Sequence, residues 1–346
     1  MRRFRIPTRA PIGVDIGGRC IKAAQLGGGV LAAASVPRTA SNGAVEAAEV
    51  RRLHEAIRQD PFRGNTVVLA VPAAKLMTGI MELPPRSSGA PIEQLARSEL
   101  ARRHNVEPKS LEMACWDLPT PARAANRTYV MAVAGSLADL DQLVEAFEAE
   151  GLNVRALDIH AAAVSRACRK LVADTSGTAA VLDVGWTSSQ LVLLYQGVTV
   201  YERNLTKCGI GALVRLLAGQ MDAHESIAER LLCEDGLKCL SPADAGTQGT
   251  AALLDSPGAY LETMLSEMRI PLSYLVSQYP DAQFQKLLLI GGGARIPGLQ
   301  AFLASRLELE VQVVRPTDLC PCPESVDAGY GSALVPAIGL AQYGEG

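Results

Sequence analysis

Residues 12–26 read IGVDIGGRCIKAAQL, and residues 181–194 read VLDVGWTSSQLVLL. In each stretch an apolar strand ends at an aspartate, Asp15 or Asp183, and a glycine two residues later precedes a second apolar strand. The two aspartates are separated by about half of the chain, and aligning them aligns the glycines as well. This repetition predicts two related lobes that face each other, an arrangement that suits a ligand bound between them.

The two turns have the composition of a phosphate-binding site. Glycine permits positive φ angles, which let a tight turn aim several backbone N–H groups at one anion. A carboxylate at the end of the strand would repel phosphate unless a cation lay between them, so Asp15 and Asp183 indicate a hydrated Mg²⁺. Lys22, on the second strand, is placed to reach a β- or γ-phosphate. The alternative is two hairpins whose Asp and Gly only satisfy turn chemistry, which the repetition disfavours.

A third glycine-rich segment lies near the C-terminus, where residues 286–307 read KLLLIGGGARIPGLQAFLASRL. A buried strand is predicted to run into Gly291–Gly293, and Pro297 to open a helix over 297–307. Glycines at that point let the ribose or base of a nucleotide lie against the backbone. The segment is neither a GxxxxGKS/T loop nor a regular GxGxxG motif, so its assignment depends on the two Asp–Gly turns.

The composition is that of an ordinary globular protein with an aliphatic core. The 346 residues are 48% hydrophobic, 20% charged and 4% aromatic, and strands mix with helices in both halves, which predicts an α/β fold. The net charge of −3 provides no field that would recruit nucleic acid or an acidic substrate. The sequence has eight cysteines and no secretory signal, which indicates a reducing compartment. The spacing of the cysteines and of the four histidines does not match a structural metal site.

The N-terminus is basic, with four arginines among residues 1–10 around Phe4 and Ile6. The simpler interpretation is a basic tail, and the other is weak attraction to anionic lipid with Phe4 as a shallow anchor. No apolar run approaches the ~20 residues that cross a bilayer. No apolar segment of a secretory signal follows the arginines either.

In this order the three segments resemble the first phosphate loop, the second phosphate loop and the adenosine motif of the actin/Hsp70/sugar-kinase superfamily. Within it the chain is most similar to the PilM family of type IV pilus assembly proteins, and more distantly to the cell-division protein FtsA. The likeness spans residues 11–341 and includes MLSEMRIPLSYLVSQYPD, before the third segment. It implies a two-lobed actin-like fold, a duplicated ribonuclease H-like α/β fold, with an FtsA/PilM-type subdomain inserted in the first lobe.

The resemblance also implies a division of the chain. The predicted units are a basic tail at 1–10, a first-lobe core at 11–75 and 156–177, an inserted subdomain at 76–155, and a second lobe at 178–326. A helix at 327–341 is expected to return to the first lobe, and the second lobe to hold a helical insertion near 210–280.

The function that the resemblance implies is a nucleotide-binding adaptor of the cytoplasm, located at the inner face of the bacterial inner membrane. It would take ATP or ADP with Mg²⁺ and hold the N-terminal cytoplasmic tail of a PilN-like inner-membrane protein in a groove of the first lobe. The machine is a type IV pilus or a related type II secretion system. Self-association and peripheral membrane contact through the basic N-terminus are compatible with this role, and nucleic acid is not an expected partner.

The residues that the resemblance assigns to nucleotide binding lie in the three glycine-rich segments and in the helix before the third. They are Asp15, Gly17, Gly18, Arg19, Cys20, Lys22, Asp183, Gly185, Thr187, Ser188, Glu267, Arg269, Gly291, Gly292, Gly293 and Arg295. Asp15 and Asp183 are also the expected Mg²⁺ residues, each acting through water.

Several positions depart from the family's pattern. Gly18, Arg19 and Cys20 stand where serines usually add donors to phosphate, although an arginine also binds phosphate. Trp186 stands where a small residue is usual, and its indole either narrows the γ-phosphate space or turns outward. Ile270-Pro271 replaces common basic residues, and a proline inside that helix is expected to kink it.

A further departure concerns hydrolysis. Where relatives carry an acidic residue that can orient the attacking water, at the start of a helix, this chain has His160. Histidine can act as a base near neutral pH, but at a helix start it also serves as a cap or packing residue. We therefore predict nucleotide binding with slow or absent hydrolysis, and we assign no catalytic residue beyond the candidate His160.

Two other functions fit the superfamily. A small-molecule kinase needs an aspartate in the cleft to deprotonate a hydroxyl group, and Asp158 and Asp222 are the candidates. An FtsA-like filament-forming division protein needs an amphipathic C-terminal membrane helix, whereas this sequence ends in GLAQYGEG, which is short and polar.

Overall fold

The structure is a computed structural model that describes residues 10–27, 29–39, 44–59, 61–121, 126–173, 178–240, 256–282 and 284–344. The predicted basic tail therefore lies outside the described residues, except for Ala10. Within this part of the chain, no helix combines the length and the apolar character that crossing a membrane requires.

Strands and helices alternate along both halves of the described chain. The strands are β1 (Ile12–Ile16), β2 (Cys20–Gly27), β3 (Val30–Pro37), β4 (Thr66–Ala70), β5 (Leu76–Leu83), β6 (Leu111–Asp117), β7 (Thr128–Ser136), β8 (Asn153–Asp158), β9 (Ala179–Val184), β10 (Ser189–Tyr195), β11 (Val198–Leu205), β12 (Lys286–Ile290) and β13 (Glu310–Val313). The helices are α1 (Ala47–Ile57), α2 (Ile92–His104), α3 (Leu137–Glu148), α4 (His160–Ala173), α5 (Ile210–Met221), α6 (Glu225–Glu234), α7 (Pro257–Gln278), α8 (Leu299–Leu307), α9 (Pro316–Leu319), α10 (Glu324–Tyr330) and α11 (Val335–Ala341).

The two halves form five-stranded sheets with the same topology. The first sheet has the order β3-β2-β1-β4-β8 and the second β11-β10-β9-β12-β13. In each, an antiparallel meander of three strands is followed by two strands that run parallel to the first strand of the meander. This equivalence confirms the predicted duplicated, two-lobed α/β fold.

A shared apolar core joins the two sheets. It contains Ala24 and Leu31 of the first sheet, Val181 and Leu288 of the second, and the buried faces of α4 and α11. α11 lies so close to the first sheet that a Cβ atom on Gly13 would overlap the backbone of that helix. Helices α4 and α11 therefore pack in the core between the two sheets and set the distance between them.

A third, antiparallel sheet of three strands lies between β4 and α3 in the chain, in the order β5-β7-β6, and α2 packs on it. Strand β5 was not predicted, because its sequence LMTGIMEL has a central glycine and few β-branched residues. The inserted sheet ends before the predicted limit of the subdomain at residue 155. α3 buries Leu143 and Phe147 in the core of the first sheet, and β8 pairs with β4, so the inserted sheet ends near Ser136.

Two helix predictions also need correction. The single helix predicted over 327–341 is instead α10, a 3₁₀ turn at Gly331–Leu334, and α11. Gly331 has a φ of +53°, which interrupts a right-handed helix. The helix predicted to open at Pro297 begins at Leu299, because Gly298 at its N-cap has a φ of +85°. Helix α7 continues through Pro271 as one element.

Candidate functional site

A cavity of about 450 Å³ lies between the two five-stranded sheets. This volume falls in the range of small-molecule sites, ~300–1,000 Å³. Its walls come from the β1–β2 turn, the β9–β10 turn, the turn after β12, the start of α4, and α6. Of the predicted nucleotide-binding residues, all but Glu267, Arg269 and Gly291 line this cavity, and so does His160.

Each sheet presents a row of three polar residues to the cavity. Residues paired in register on neighbouring strands share one face of a sheet. The rows are Asp15, Lys22 and Ser35 in the first lobe, and Asp183, Gln190 and Asn204 in the second. The duplicated strands thus place one carboxylate from each lobe at the same cavity, as the sequence predicted for the two aspartates.

The first-lobe row contains a buried ion pair. The Lys22 Nζ atom lies 2.6 Å from Asp15 Oδ2, and both side chains are largely buried. Burial lowers the pKa of Lys22, but the charges of Asp15 and Asp183 outweigh that effect, so the pKa is raised above its ordinary value. Lys22 therefore carries its charge at the cavity, where it is paired with Asp15.

The second-lobe carboxylate pairs with His160, the first residue of α4. The distance between His160 Nε2 and Asp183 Oδ2 is 2.7 Å. Burial opposes the charge of the imidazole, but the hydrogen bond to Asp183 raises the pKa of His160. Burial opposes the carboxylate charge too, and the hydrogen bond and charge of His160 lower the pKa of Asp183. His160 Nδ1 is buried without a hydrogen-bond partner among the described residues.

Glycines at each of the three turns lie where a side chain would not fit, whereas a Cβ atom on Gly292 would meet open space. A Cβ atom on Gly185 would lie 2.5 Å from Ser188 O, and one on Gly291, which has a φ of +87°, would overlap the Asp183 carboxylate. A Cβ atom on Gly18 would lie 2.5 Å from Thr187 Cγ2, so the glycine turns of the two lobes contact each other. This crowding requires glycine at Gly18, Gly185 and Gly291.

Arg19 crosses from the first lobe to the second. Its guanidinium group donates hydrogen bonds to both carboxylate oxygens of Glu229 on α6, and it stacks over the Trp186 ring at 4.4 Å from the centroid. Trp186 thus faces the cleft rather than turning outward, and both residues line the cavity.

Two predicted adenosine contacts, Glu267 and Arg269, do not line this cavity. Glu267 forms a 2.7 Å ion pair with Arg203, and Arg269 donates a 2.8 Å hydrogen bond to Arg306 O. α7 turns Met264 and Met268 into the second-lobe core, which places Glu267 and Arg269 away from the cavity. Gly291 does not line the cavity and instead contacts the Asp183 carboxylate.

The kinase candidates are also placed elsewhere. Asp158 pairs with Arg166, and its Oδ1 accepts a hydrogen bond from Ile159 N. Asp222 ends α5 with a φ of +47°. Neither aspartate lines the cavity, so the described structure offers no kinase-type base at these positions.

Some cavity residues were missed by the sequence analysis. They are Ser35, Arg38, Gln190, Asn204 and Glu229. Gln190 carried a readable signal, because it follows Asp183 by the same seven residues that separate Lys22 from Asp15. Glu229 carried none, since it lies on a helix far along the chain and only the fold brings it to the cleft.

The residues present fit a nucleotide with a hydrated Mg²⁺. The cavity volume and the glycine positions in its turns suit a phosphate chain. Among the described residues, no group of three or more His, Cys, Asp or Glu is placed to hold a metal ion. Asp15 and Asp183 each use Oδ2 in an ion pair, so such an ion would approach the other oxygen or displace the cation.

The duplicated sheets, the cleft between them and the facing Asp–Gly turns define a two-lobed protein of the actin-like class. The sequence model of the family described as "Type IV pilus assembly protein PilM" matches residues 13–342. The chain therefore belongs to the PilM family, as the sequence resemblance predicted.

Solved structures agree with this assignment at the level of the fold. A structure described as "PilM-PilN type IV pilus biogenesis complex" has a TM-score of 0.76 and 22% identity, over 97% of this chain and 98% of that one. The ethanolamine utilization protein EutJ from Carboxydothermus hydrogenoformans has a TM-score of 0.53 and 14% identity, over 98% and 91%. No curated protein matches the chain significantly.

Proposed function

We propose that this chain is a nucleotide-binding adaptor of a type IV pilus, or related secretion, assembly platform at the inner face of the bacterial inner membrane. It binds ATP or ADP with Mg²⁺ in the cleft and hydrolyses the nucleotide slowly or not at all. The observation that carries this proposal is that Asp15 and Asp183, at the ends of duplicated strands, line one cavity together with the glycine turns.

The chain's own residues divide the work of binding. The backbone of Gly17 and Gly18 and of Gly185–Ser188 would hold the phosphates, and Gly292, Gly293 and Arg295 would contact the adenosine. Mg²⁺, when bound, neutralises phosphate charge, with Asp15 and Asp183 as its residues through water.

Slow or absent hydrolysis follows from the pairing of the acids. Of the three acidic residues that line the cavity in the described structure, Asp15 pairs with Lys22, Glu229 pairs with Arg19, and Asp183 is hydrogen-bonded to His160. A general base must accept a proton from the attacking water, and in His160 the Nε2 atom is paired with Asp183 while the Nδ1 atom is buried. Turnover above about 1 s⁻¹, the low end of typical enzymes, that is lost in Asp183→Ala would contradict this part of the proposal.

The nucleotide site is tested by calorimetric titration with MgATP. Asp183→Asn should weaken binding by about tenfold or more, because a charge-assisted contact of ~1.5–3 kcal/mol is lost. Asp222→Asn is the matched control, since it makes the same change at the end of α5, and asparagine tolerates the left-handed conformation there. Absence of wild-type binding, or equal binding by Asp183→Asn, would refute the site.

The proposed partner is the N-terminal cytoplasmic tail of a PilN-like membrane protein. A second cavity, of about 190 Å³, lies in the first lobe between α3 and the segment after β4. Val71, Pro72 and Ala146 line it, and the Lys75–Asp139 ion pair, with its 2.5 Å Nζ–Oδ1 distance, stands at its wall. An apolar pocket beside a charged pair suits a peptide that buries one apolar side chain, so we place the tail there.

The partner site is tested with a synthetic peptide of the tail, labelled for fluorescence anisotropy. Ala146→Arg should abolish binding because the new side chain fills the pocket. Val144→Arg, on the same helix but outside the pocket, should bind like the wild type. Equal binding by both variants would place the tail elsewhere.

A further inference from the structure

Arg19, Trp186 and Glu229 form the contact that spans the mouth of the cleft. Arg19 belongs to the β1–β2 turn of the first lobe, whereas Trp186 and Glu229 belong to the second. Both terminal nitrogens of the guanidinium group donate hydrogen bonds to the carboxylate, one of them at 3.0 Å, and its Cζ atom lies 4.4 Å from the centroid of the Trp186 ring. The side chains of Arg19 and Glu229 are 51% and 31% exposed, so water and ligands reach them.

We propose that this contact is a latch, and that the phosphate chain of a bound nucleotide opens it by replacing the Glu229 carboxylate at Arg19. The proposal rests on the nucleotide-binding function given above. It makes Glu229 a built-in competitor of phosphate, and Arg19 the residue that both anions require.

The chemistry of the guanidinium group supports an exchange. Its planar fork fits a carboxylate and a phosphate in the same bidentate way, so Arg19 cannot hold both through the same edge. The cation–π contact with Trp186 coexists with both hydrogen bonds to Glu229, so it does not use the two donors that would change partners. The indole therefore keeps Arg19 at the cleft while its anion is exchanged.

The position of Glu229 gives the exchange a structural consequence. Helix α6 is anchored by Ala228 and Leu232 in the second-lobe core. The described contact between Arg19 and α6 ties this helix directly to the first lobe, next to the point where Gly18 meets Thr187. Release of Glu229 by phosphate would remove that tie, so the nucleotide state would set how firmly the two lobes are held together.

The latch is tested by a double-mutant cycle on MgATP affinity, measured by calorimetry on the full chain. Glu229→Gln should bind MgATP about threefold more tightly than the wild type, the scale of a partly exposed ion pair. Glu225→Gln, the same change on the same helix but outside the cavity, should have no effect. The gain should disappear in an Arg19→Gln background, where both anions have lost their shared partner.

The salt dependence gives a second readout. The advantage of Glu229→Gln should shrink as ionic strength rises, because exposed charges are screened. If the wild type binds MgATP but Glu229→Gln binds equally or more weakly, the latch is refuted while the nucleotide-binding function stands. A gain that persists in the Arg19→Gln background also refutes it. If no variant binds MgATP, both the latch and the nucleotide-binding function are overturned.

Discussion

The buried pair of Arg38 and Glu49 gives the sharpest test of how the β1–β2 turn is supported. Glu49 on α1 is fully buried, and its carboxylate accepts hydrogen bonds from Arg38 Nε at 3.3 Å, Thr39 N at 2.6 Å and Glu46 N at 3.1 Å. The Arg38 side chain is only 4% exposed, and its Nη1 donates to Gly17 O at 3.3 Å. The change that tests this arrangement is Glu49→Gln, which keeps the shape and removes the charge.

The magnitude follows from the charge that remains. Breaking a buried ion pair by neutralising one partner costs ~3–5 kcal/mol, because the other charge stays in a poorly solvated site. Arg38 retains two carbonyl partners, Gly17 O and Ala44 O, which favours the lower end, about 3 kcal/mol. That is a large fraction of the ~5–15 kcal/mol by which native proteins are stable.

The assay is equilibrium unfolding in urea followed by circular dichroism, with the slope of the transition checked for constancy. Glu55→Gln is the control, since it makes the same change on an exposed position of α1 and should leave the transition in place. MgATP affinity should fall in Glu49→Gln as well, because Arg38 then holds Gly17 less firmly. A loss below about 1 kcal/mol, the value of a surface pair, would show that the buried charge does not support this turn.

Three further predictions concern the core and the thiols. The pKa of His160 is raised in the folded protein, so its pairing with Asp183 stabilises fully below the unfolded value of about 6.5 and is lost as the pH rises through the folded value. The stability advantage of the wild type over His160→Gln should therefore decline above that pH in urea titrations, and an advantage that grows with pH would contradict the pairing. Gly13→Val should lower the thermal midpoint of unfolding, because its side chain would meet the backbone of α11 and such overpacking lowers the free energy of unfolding by ~1–3 kcal/mol or more. An unchanged midpoint would mean that α11 can shift to make room for the side chain. Burial raises the pKa of the Cys168 thiol to about 12, so Cys168 should resist a thiol reagent at neutral pH while the exposed Cys233 reacts, and mass spectrometry of the labelled peptides would expose the reverse order.

The fold could be predicted from the sequence where local pattern and packing agree. The strand–turn–strand segments around Asp15 and Asp183 combine apolar runs with glycine at a fixed place, and the structure pairs them in the same register. β5 escaped prediction because its residues are half-buried in a small sheet, so alternation is weak. The predicted subdomain limit at residue 155 lies beyond the end of the inserted sheet, because no turn or change of composition in the sequence marks where that sheet ends.

The site shows the same division between local and non-local information. Residues on the turns could be found because chain-local chemistry, a carboxylate beside glycines, identifies them. Glu267 lies outside the cavity because α7 buries another face in the second-lobe core, and the sequence of a helix does not show which of its faces the core will take. Glu229 could not be found, since its partner Arg19 is 210 residues away and the contact exists only once both lobes are folded.

The structure also changes the argument that first linked the aspartates to a metal. From the sequence, two carboxylates near phosphate required an added cation. In the folded protein the charges of Asp15 and Asp183 both act on Lys22, and His160, when protonated, forms an ion pair with Asp183. The duplication supplies two equivalent carboxylates, but the cationic partners are not duplicated. Lys22 pairs with Asp15 across β1 and β2, whereas the equivalent position beside Asp183 holds the uncharged Gln190. The cavity therefore contains cationic side chains beside its two carboxylates, so it would repel phosphate less than two bare carboxylates would. A bound Mg²⁺ ion would add to the charge that these side chains provide.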